Sequence, residues 1–244
     1  NATDNEKAKR TNIDYLAIGF PYGKFGFTFG IMPYSAVGYK IENTVTQTDN
    51  TERNSRNLGN GNINKIYVGA AYNLSKKLSF GFDLGYNFGD ITTEYVESIY
   101  SPIVLQMRSR ERNNSKLKGV SLNTGFLYKT KINAKLDLNA GITYHPTTTL
   151  TSENERKIAT IIYNINGAEL VSEENDIAVN DTKMKIPAKF TFGLGIGANK
   201  KWAIGSEVTF SNNSDMTNRF GSIANVSFEN SQKIAVGGFY IPKY

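Results

Sequence analysis

Bulky apolar residues fall on every second position through much of this chain. From Leu78 the even positions read Leu78, Phe80, Phe82, Leu84, Tyr86 and Phe88, while the odd positions between them read Ser79, Gly81, Asp83, Gly85, Asn87 and Gly89. Successive side chains of a strand point to opposite faces, so the segment has one greasy face and one small, polar face. A helix would mix the two sets around its circumference, so the segment is a strand. The same alternation predicts strands over 25–31, 120–128, 136–144, 186–196 and 202–210, and in weaker form over 16–20, 66–72, 224–228 and 234–240. The expected total is about ten.

The connections alternate as well. Short links at 21–24, 75–77, 129–135, 199–201 and 229–232 take turns with polar stretches at 42–62, 90–115, 146–183 and 211–219. This predicts antiparallel hairpins with every long loop at one end, the asymmetry of outer-membrane barrels with tight periplasmic turns and longer extracellular loops. Within the third stretch, Asn166-Gly167 is a strong two-residue turn signal between 158–165 and 168–171, which predicts a further hairpin.

A soluble β-sandwich also alternates, but it buries its large side chains and carries charge on the wet face. Here the face opposite the bulky one is mostly Gly, Ser, Asn and Thr, which suits a confined wet interior. The fold class expected is therefore all-β, an antiparallel transmembrane β-barrel. Phe25, Phe27, Phe80, Phe82, Leu84, Tyr86, Phe190, Phe192 and Trp202 are expected to face lipid, several of them as interfacial girdles. Asp83, Asn87, Asn139, Lys189 and Glu207 are expected to line the lumen, where ionisable groups meet water or one another.

Charge sharpens this reading. The 244 residues carry a formal charge of +6, and the first four short links hold lysines with no Asp or Glu. Lys76, Lys77, Lys129, Lys131, Lys200 and Lys201 form the expected periplasmic basic rim, which anchors at the headgroup level or meets anionic lipid or an acidic partner. No aromatic–basic stacking motif accompanies them, so nucleic acid is not an expected partner. No stretch approaches the roughly 18–20 apolar residues of a membrane helix.

Candidate chemistry is sparse. Absence of Cys excludes disulfides and cysteine-based metal centres, and a single histidine, His145, excludes a multi-histidine site. No cofactor or metal is expected. The glycine run 193–197 sits on a strand rather than between a strand and a helix N-terminus, so it does not read as a phosphate loop. His145 could serve a hydrolase only beside Asp83, Asp137 or a serine, and nothing in the sequence brings them together, so the chain is not expected to be an enzyme.

Residues 30–41, GIMPYSAVGYKI, the preceding run NIDYLAIGFPYGKFGFTFG and residues 233–244, KIAVGGFYIPKY, resemble outer-membrane β-barrels of the FadL/OMPP1/TodX type in the form common among Bacteroidetes-like bacteria. The resemblance implies a 14-stranded barrel with an N-terminal plug and passive uptake of hydrophobic small molecules. Since about ten strands are visible and no plug precedes Asn12, residues 1–244 are expected to form one barrel domain that is an incomplete span of a longer protein. Two functions are open at this point. One is passive transport of a hydrophobic solute. The alternative is a structural or accessory barrel subunit of a multi-protein outer-membrane complex for protein secretion or outer-membrane protein assembly. The partners implied are membrane lipid, a hydrophobic small molecule, and other outer-membrane or periplasmic proteins.

Overall fold

A computed structural model describes residues 15–48, 51–100, 107–164, 166, 168–217 and 227–242. The described chain is almost wholly strand: β1 (Leu16–Tyr22), β2 (Phe25–Thr46), β3 (Glu52–Asn73), β4 (Leu78–Tyr100), β5 (Arg108–Lys131), β6 (Asp137–His145), β7 (Thr148–Tyr163), β8 (Glu169–Ile177), β9 (Thr182–Ile186), β10 (Lys189–Ala198), β11 (Trp202–Ser211) and β12 (Ser231–Tyr240). All pairings are antiparallel, in the order β1-β2-β3-β4-β5-β6-β10-β11-β12, with β7 pairing β5, β8 and β9. β6 and β7 are two lengths of one column beside β5, broken at Pro146, which cannot donate to the ladder. β8, β9 and β10 likewise run end to end beside them, with Pro187 at the second break. The result is a curled sheet of the transmembrane-barrel type. At its two ends, β1 and β12 each have one hydrogen-bonded neighbour among the described residues.

Register explains the alternation. Tyr22, Phe25, Tyr72, Phe80, Phe126, Ile142, Phe192, Val208 and Ile234 stand side by side across the whole order. One position along, on the other face, the row reads Pro21, Gly26, Ala71, Gly81, Gly125, Thr143, Thr191, Thr209 and Lys233. A one-residue slip would turn either row onto the wrong face. The bulky face is the open one: Phe82 is 47% exposed and Tyr86 48%, whereas Asn87 on the opposite face is 0% and Ser121 3%. A water-soluble sheet has the reverse arrangement.

The long strands depart from expectation. The polar stretches 42–62, 90–115 and 146–183, expected as loops, are largely strand: β2 runs to Thr46, β3 starts at Glu52, β4 ends at Tyr100 and β5 starts at Arg108. An apolar band about 25 Å tall crossed at about 40° needs only ~10 residues at ~3.3 Å each. β4 has 23 residues and β5 has 24, so more than half of each lies outside such a band. Polar alternation does not stop a strand whose neighbours supply its hydrogen bonds, which is why hydropathy placed the boundaries too early. The predicted hairpin around Asn166 is present as β7–β8. In the fourth stretch, Ser211 closes β11 and a 3₁₀ turn follows at Asn213–Asp215. Residues 224–226 of the expected ninth strand lie outside the described residues, and 227–230 are not strand. Gln232, expected in a short turn, instead pairs with Phe210 inside β12.

Dry packing begins just above the apolar rows. A β-bulge between Pro33 and Ser35 turns Tyr34 against Ile63, Leu117, Leu150 and Ile186 on the small-residue face. A second cluster, Val96, Ala159 and Ile161, lies higher and on the opposite face. The buried side therefore changes over: from Asn87 to Val96 on β4, from Ser115 to Arg110 on β5 and from Asn154 to Ala159 on β7. The β4–β5 and β5–β7 registers are unbroken through this level, so the changeover reflects the twist of one sheet and what covers each side of it. Gly61 marks the level with φ of +134°, and a Cβ there would lie 2.2 Å from the Asp90 carbonyl oxygen.

Leu150 and Ile161 are both 0% exposed and belong to separate clusters. Leu150→Ala and Ile161→Ala should each cost about 2–5 kcal/mol. Their effects should add in a denaturant titration of the double variant, because the clusters share no member.

Candidate functional site

The small-residue face carries a polar cluster built from three adjacent strands. Lys65 of β3 is 6% exposed and bonds the Asp83 carboxylate of β4, which also accepts from Asn123 Nδ2 of β5 at 2.9 Å to each oxygen. Lys65 stands opposite Asn87 and reaches diagonally across Gly85 to make that bond. A Cβ on Gly85 would lie 2.1 Å from Lys65 Cε, so a larger residue there would push the Lys65 side chain off this path. Asn87 donates to Ser121 Oγ at 2.9 Å, and its own Oδ1 has no partner. Burying a charge is tolerable only when it is paired and hydrogen-bonded, and Lys65 meets both conditions.

Beside this cluster lies a recess of about 740 Å³, bordered by Thr28, Gly81, Asp83, Asn123, Leu127, His145 and Lys189. Lys189 stands opposite His145 across the β6–β10 pair. His145 Nδ1 is buried without a hydrogen-bond partner, while the Asp83 carboxylate is engaged by Lys65 and Asn123, so histidine and aspartate form no dyad. Asn139 and Glu207 share the face but stand lower, exposed and apart from the cluster. Of the five expected interior residues, Asp83 and Asn87 belong to the cluster, and Lys189 borders the recess.

Phe25, Phe27, Phe82, Leu84, Tyr86 and Phe192 are exposed on the opposite face, and Phe80, Phe190 and Trp202 are half-exposed there. Cross-strand aromatic pairs tie this face together, with ring centroids 4.8 Å apart for Phe25–Tyr72 and 4.9 Å for Phe80–Phe126. Lys76, Lys77, Lys200 and Lys201 lie exposed in tight turns at one end. Lys129 and Lys131, expected in a turn, are the last residues of β5, and Lys129 pairs with Asn139. Lys200 occupies the left-handed region with φ of +58°, a conformation usual for Gly or Asn.

A second concentration of polar chemistry sits beyond the apolar rows. Arg110 is 4% exposed and donates to Glu169 and, at 2.7 Å, to Glu174, so β8 is clasped to β5 across the small Ala159 of β7. Arg112 bonds Glu94 at 2.8 Å, Arg56 donates to Tyr163 Oη at 2.9 Å, and Arg108 lies over the Tyr163 ring. Hydrogen bonds that Lys157 donates to Glu174 and then to Asp176 raise its pKa. A hydrogen bond from Arg53 holds Glu97 below the ordinary carboxylate range. Sequence reading missed this network because hydropathy marked the region as loop. The signal was nonetheless present as Arg108, Arg110 and Arg112 at a spacing of two. It also missed Lys65, Ser121 and Asn123, whose roles come from register.

Asp83→Ala should destabilise the sheet by about 3–5 kcal/mol, since it leaves the Lys65 charge buried and unpaired. The double change Lys65→Met/Asp83→Leu should recover most of that loss in the same unfolding titration. Glu97 has a depressed pKa, so its contribution is present above the unfolded value of about 4 and fades as pH falls through the lower folded value. Protection factors at the far ends of β3 and β4, with exchange corrected for its intrinsic pH dependence, should accordingly fall in acid, and Glu97→Gln should flatten that response.

Three comparisons bear on these features. The fold is similar to the toluene transporter TbuX of Ralstonia pickettii, with a TM-score of 0.57 over 95% of this chain and 67% of that one, at 14% identity. At that identity the likeness concerns the fold alone, and it agrees with the exposed aromatic rows. No curated protein sequence matches the chain. The family model BamG matches residues 1–244. Matched from end to end, this chain belongs to the BamG family.

Proposed function

We propose that this chain forms the wall of an outer-membrane β-barrel that serves as a structural subunit of a multi-protein outer-membrane assembly. The observation that carries this reading is the ordered sheet beyond the apolar rows. Half or more of β4 and β5 extends past them and is stabilised by its own apolar cluster and by ion pairs. An ordered surface of this kind suits a subunit that holds another protein in a fixed position. Membership of BamG supports an assembly role through the family's name.

In this reading the rows containing Phe25, Phe27, Phe80, Phe82, Leu84, Tyr86, Phe190, Phe192 and Trp202 contact lipid, and the face of Asp83, Asn87, Asn139, Lys189 and Glu207 encloses the lumen. The lysine turns form the periplasmic rim, and the upper sheet is extracellular. β1 and β12 run in the same direction, so antiparallel closure takes an odd number of further strands, in keeping with the even strand totals of bacterial barrels.

A second reading, passive transport of a hydrophobic solute, draws on the recess of about 740 Å³ and on the fold shared with TbuX. One experiment separates the two. Affinity purification from native membranes in mild detergent should recover stoichiometric outer-membrane or periplasmic proteins. Charge reversal at Glu173 and Asp176, on the exposed strand β8, should deplete them. A solitary barrel whose deletion abolishes uptake of a hydrophobic solute would favour transport instead. For the lipid-facing assignment, Phe82→Arg should cost about 2–4 kcal/mol in a vesicle folding titration.

A further inference from the structure

We propose that the polar cavity above the apolar rows binds the saccharide head of a membrane glycolipid. The inference rests on the reading that those rows face lipid. The cavity, about 570 Å³, lies on the same side of the sheet as Phe82, Leu84 and Tyr86. Its lowest member on β4, Asp90, is two positions beyond Phe88 and four beyond Tyr86 on that face. Four residues span ~13 Å of strand, or ~10 Å of height at barrel tilt, which clears the hydrocarbon edge and enters the headgroup layer. The cavity continues to Glu94 and Arg112, four residues further along. That upper part lies beyond the reach of a small phospholipid head, whereas a saccharide extends that far.

The chemistry of the lining agrees. Asn60, Thr92 and Asn114 share one row across β3, β4 and β5, and Glu155 continues it on β7. Two ion pairs are closed within the lining, Arg112 with Glu94 at 2.8 Å and Lys157 with Glu174 at 3.2 Å, while Asp90 and Glu155 add further carboxylates and Thr92 donates to Asn114 Oδ1 at 3.1 Å. What remains toward a ligand is a mixture of amide, hydroxyl and carboxylate groups. Amides and hydroxyls both donate and accept, as sugar hydroxyls do. Below the cavity the acyl chains meet exposed Ile66, Val68, Leu84, Tyr86 and Val120. One face thus offers the two halves of an amphipathic ligand in their correct order and spacing.

The test uses the full chain in lipid nanodiscs of phosphatidylethanolamine, with and without lipid A as the glycolipid probe, read by native mass spectrometry of retained lipid. Wild-type protein should retain lipid A in preference to phosphatidylethanolamine, and the soluble disaccharide head without acyl chains should compete only weakly. Thr92→Val/Asn114→Leu, which leaves both ion pairs in place, should weaken retention about tenfold. Asn60→Leu, on another strand, should weaken it independently. Retention of lipid A no better than phosphatidylethanolamine, or unchanged retention in both variants, overturns the proposal. A chain that does not enter nanodiscs at all overturns the lipid-facing assignment and the proposal with it.

Discussion

In hydrocarbon, a backbone amide or carbonyl has no water to bond, so a spanning sheet must satisfy these groups strand to strand. That requirement shapes this molecule. It enforces unbroken antiparallel register through the aromatic rows and confines proline to the end strand β1, to a bulge and to breaks, at Pro21, Pro33, Pro146 and Pro187. It also frees the side chains from holding the sheet together there. In the proposed orientation the greasy face turns outward, and the inner face can be glycine, serine and threonine with a few paired charges. The Lys65–Asp83–Asn123 cluster lies on the face opposite the aromatic rows and keeps the buried Lys65 charge compensated.

Beyond the rows a different balance takes over. Side-chain packing and ion pairs hold the strands there. Tyr34, Leu117 and Leu150 pack on one face, and higher up Val96, Ile161 and the Arg110–Glu169–Glu174 clasp pack on the other. The changeover of the buried side divides the sheet into a membrane-type lower half and a water-type upper half, without a break in hydrogen bonding between them. Such a platform can hold a partner or a lipid head at a fixed height above the bilayer surface, which a flexible loop cannot do.

The lower half was legible in the sequence because its constraint is period-two alternation, which leaves a plain trace from Leu78 to Phe88. The direction of that alternation also follows from composition, since an inner face of Gly81, Gly85 and Asn87 makes little sense in water. The upper half was not legible. Over 92–98 and 108–112 all residues but Tyr95 and Val96 are polar, and strand and loop look alike when the deciding contacts come from other strands. The site was read in part. Asp83 and Asn87 stood out as polar residues on a small-residue face, but Lys65 sits between Asn64 and Ile66 and reveals its role only once register sets it diagonally across Gly85 from Asp83. Arg110 is a similar case, since its partners lie about sixty residues away.

The proposed orientation of the sheet turns on which face of β4 meets lipid. The chain has no cysteine, so single cysteines can be placed from Leu78 to Phe88 and spin-labelled without background. In vesicles, collision with oxygen should peak at 80, 82, 84 and 86 and fall at 81, 83, 85 and 87, while a water-soluble relaxation agent should show the opposite phase. The reversed pattern, with the odd positions most accessible to oxygen, would contradict it.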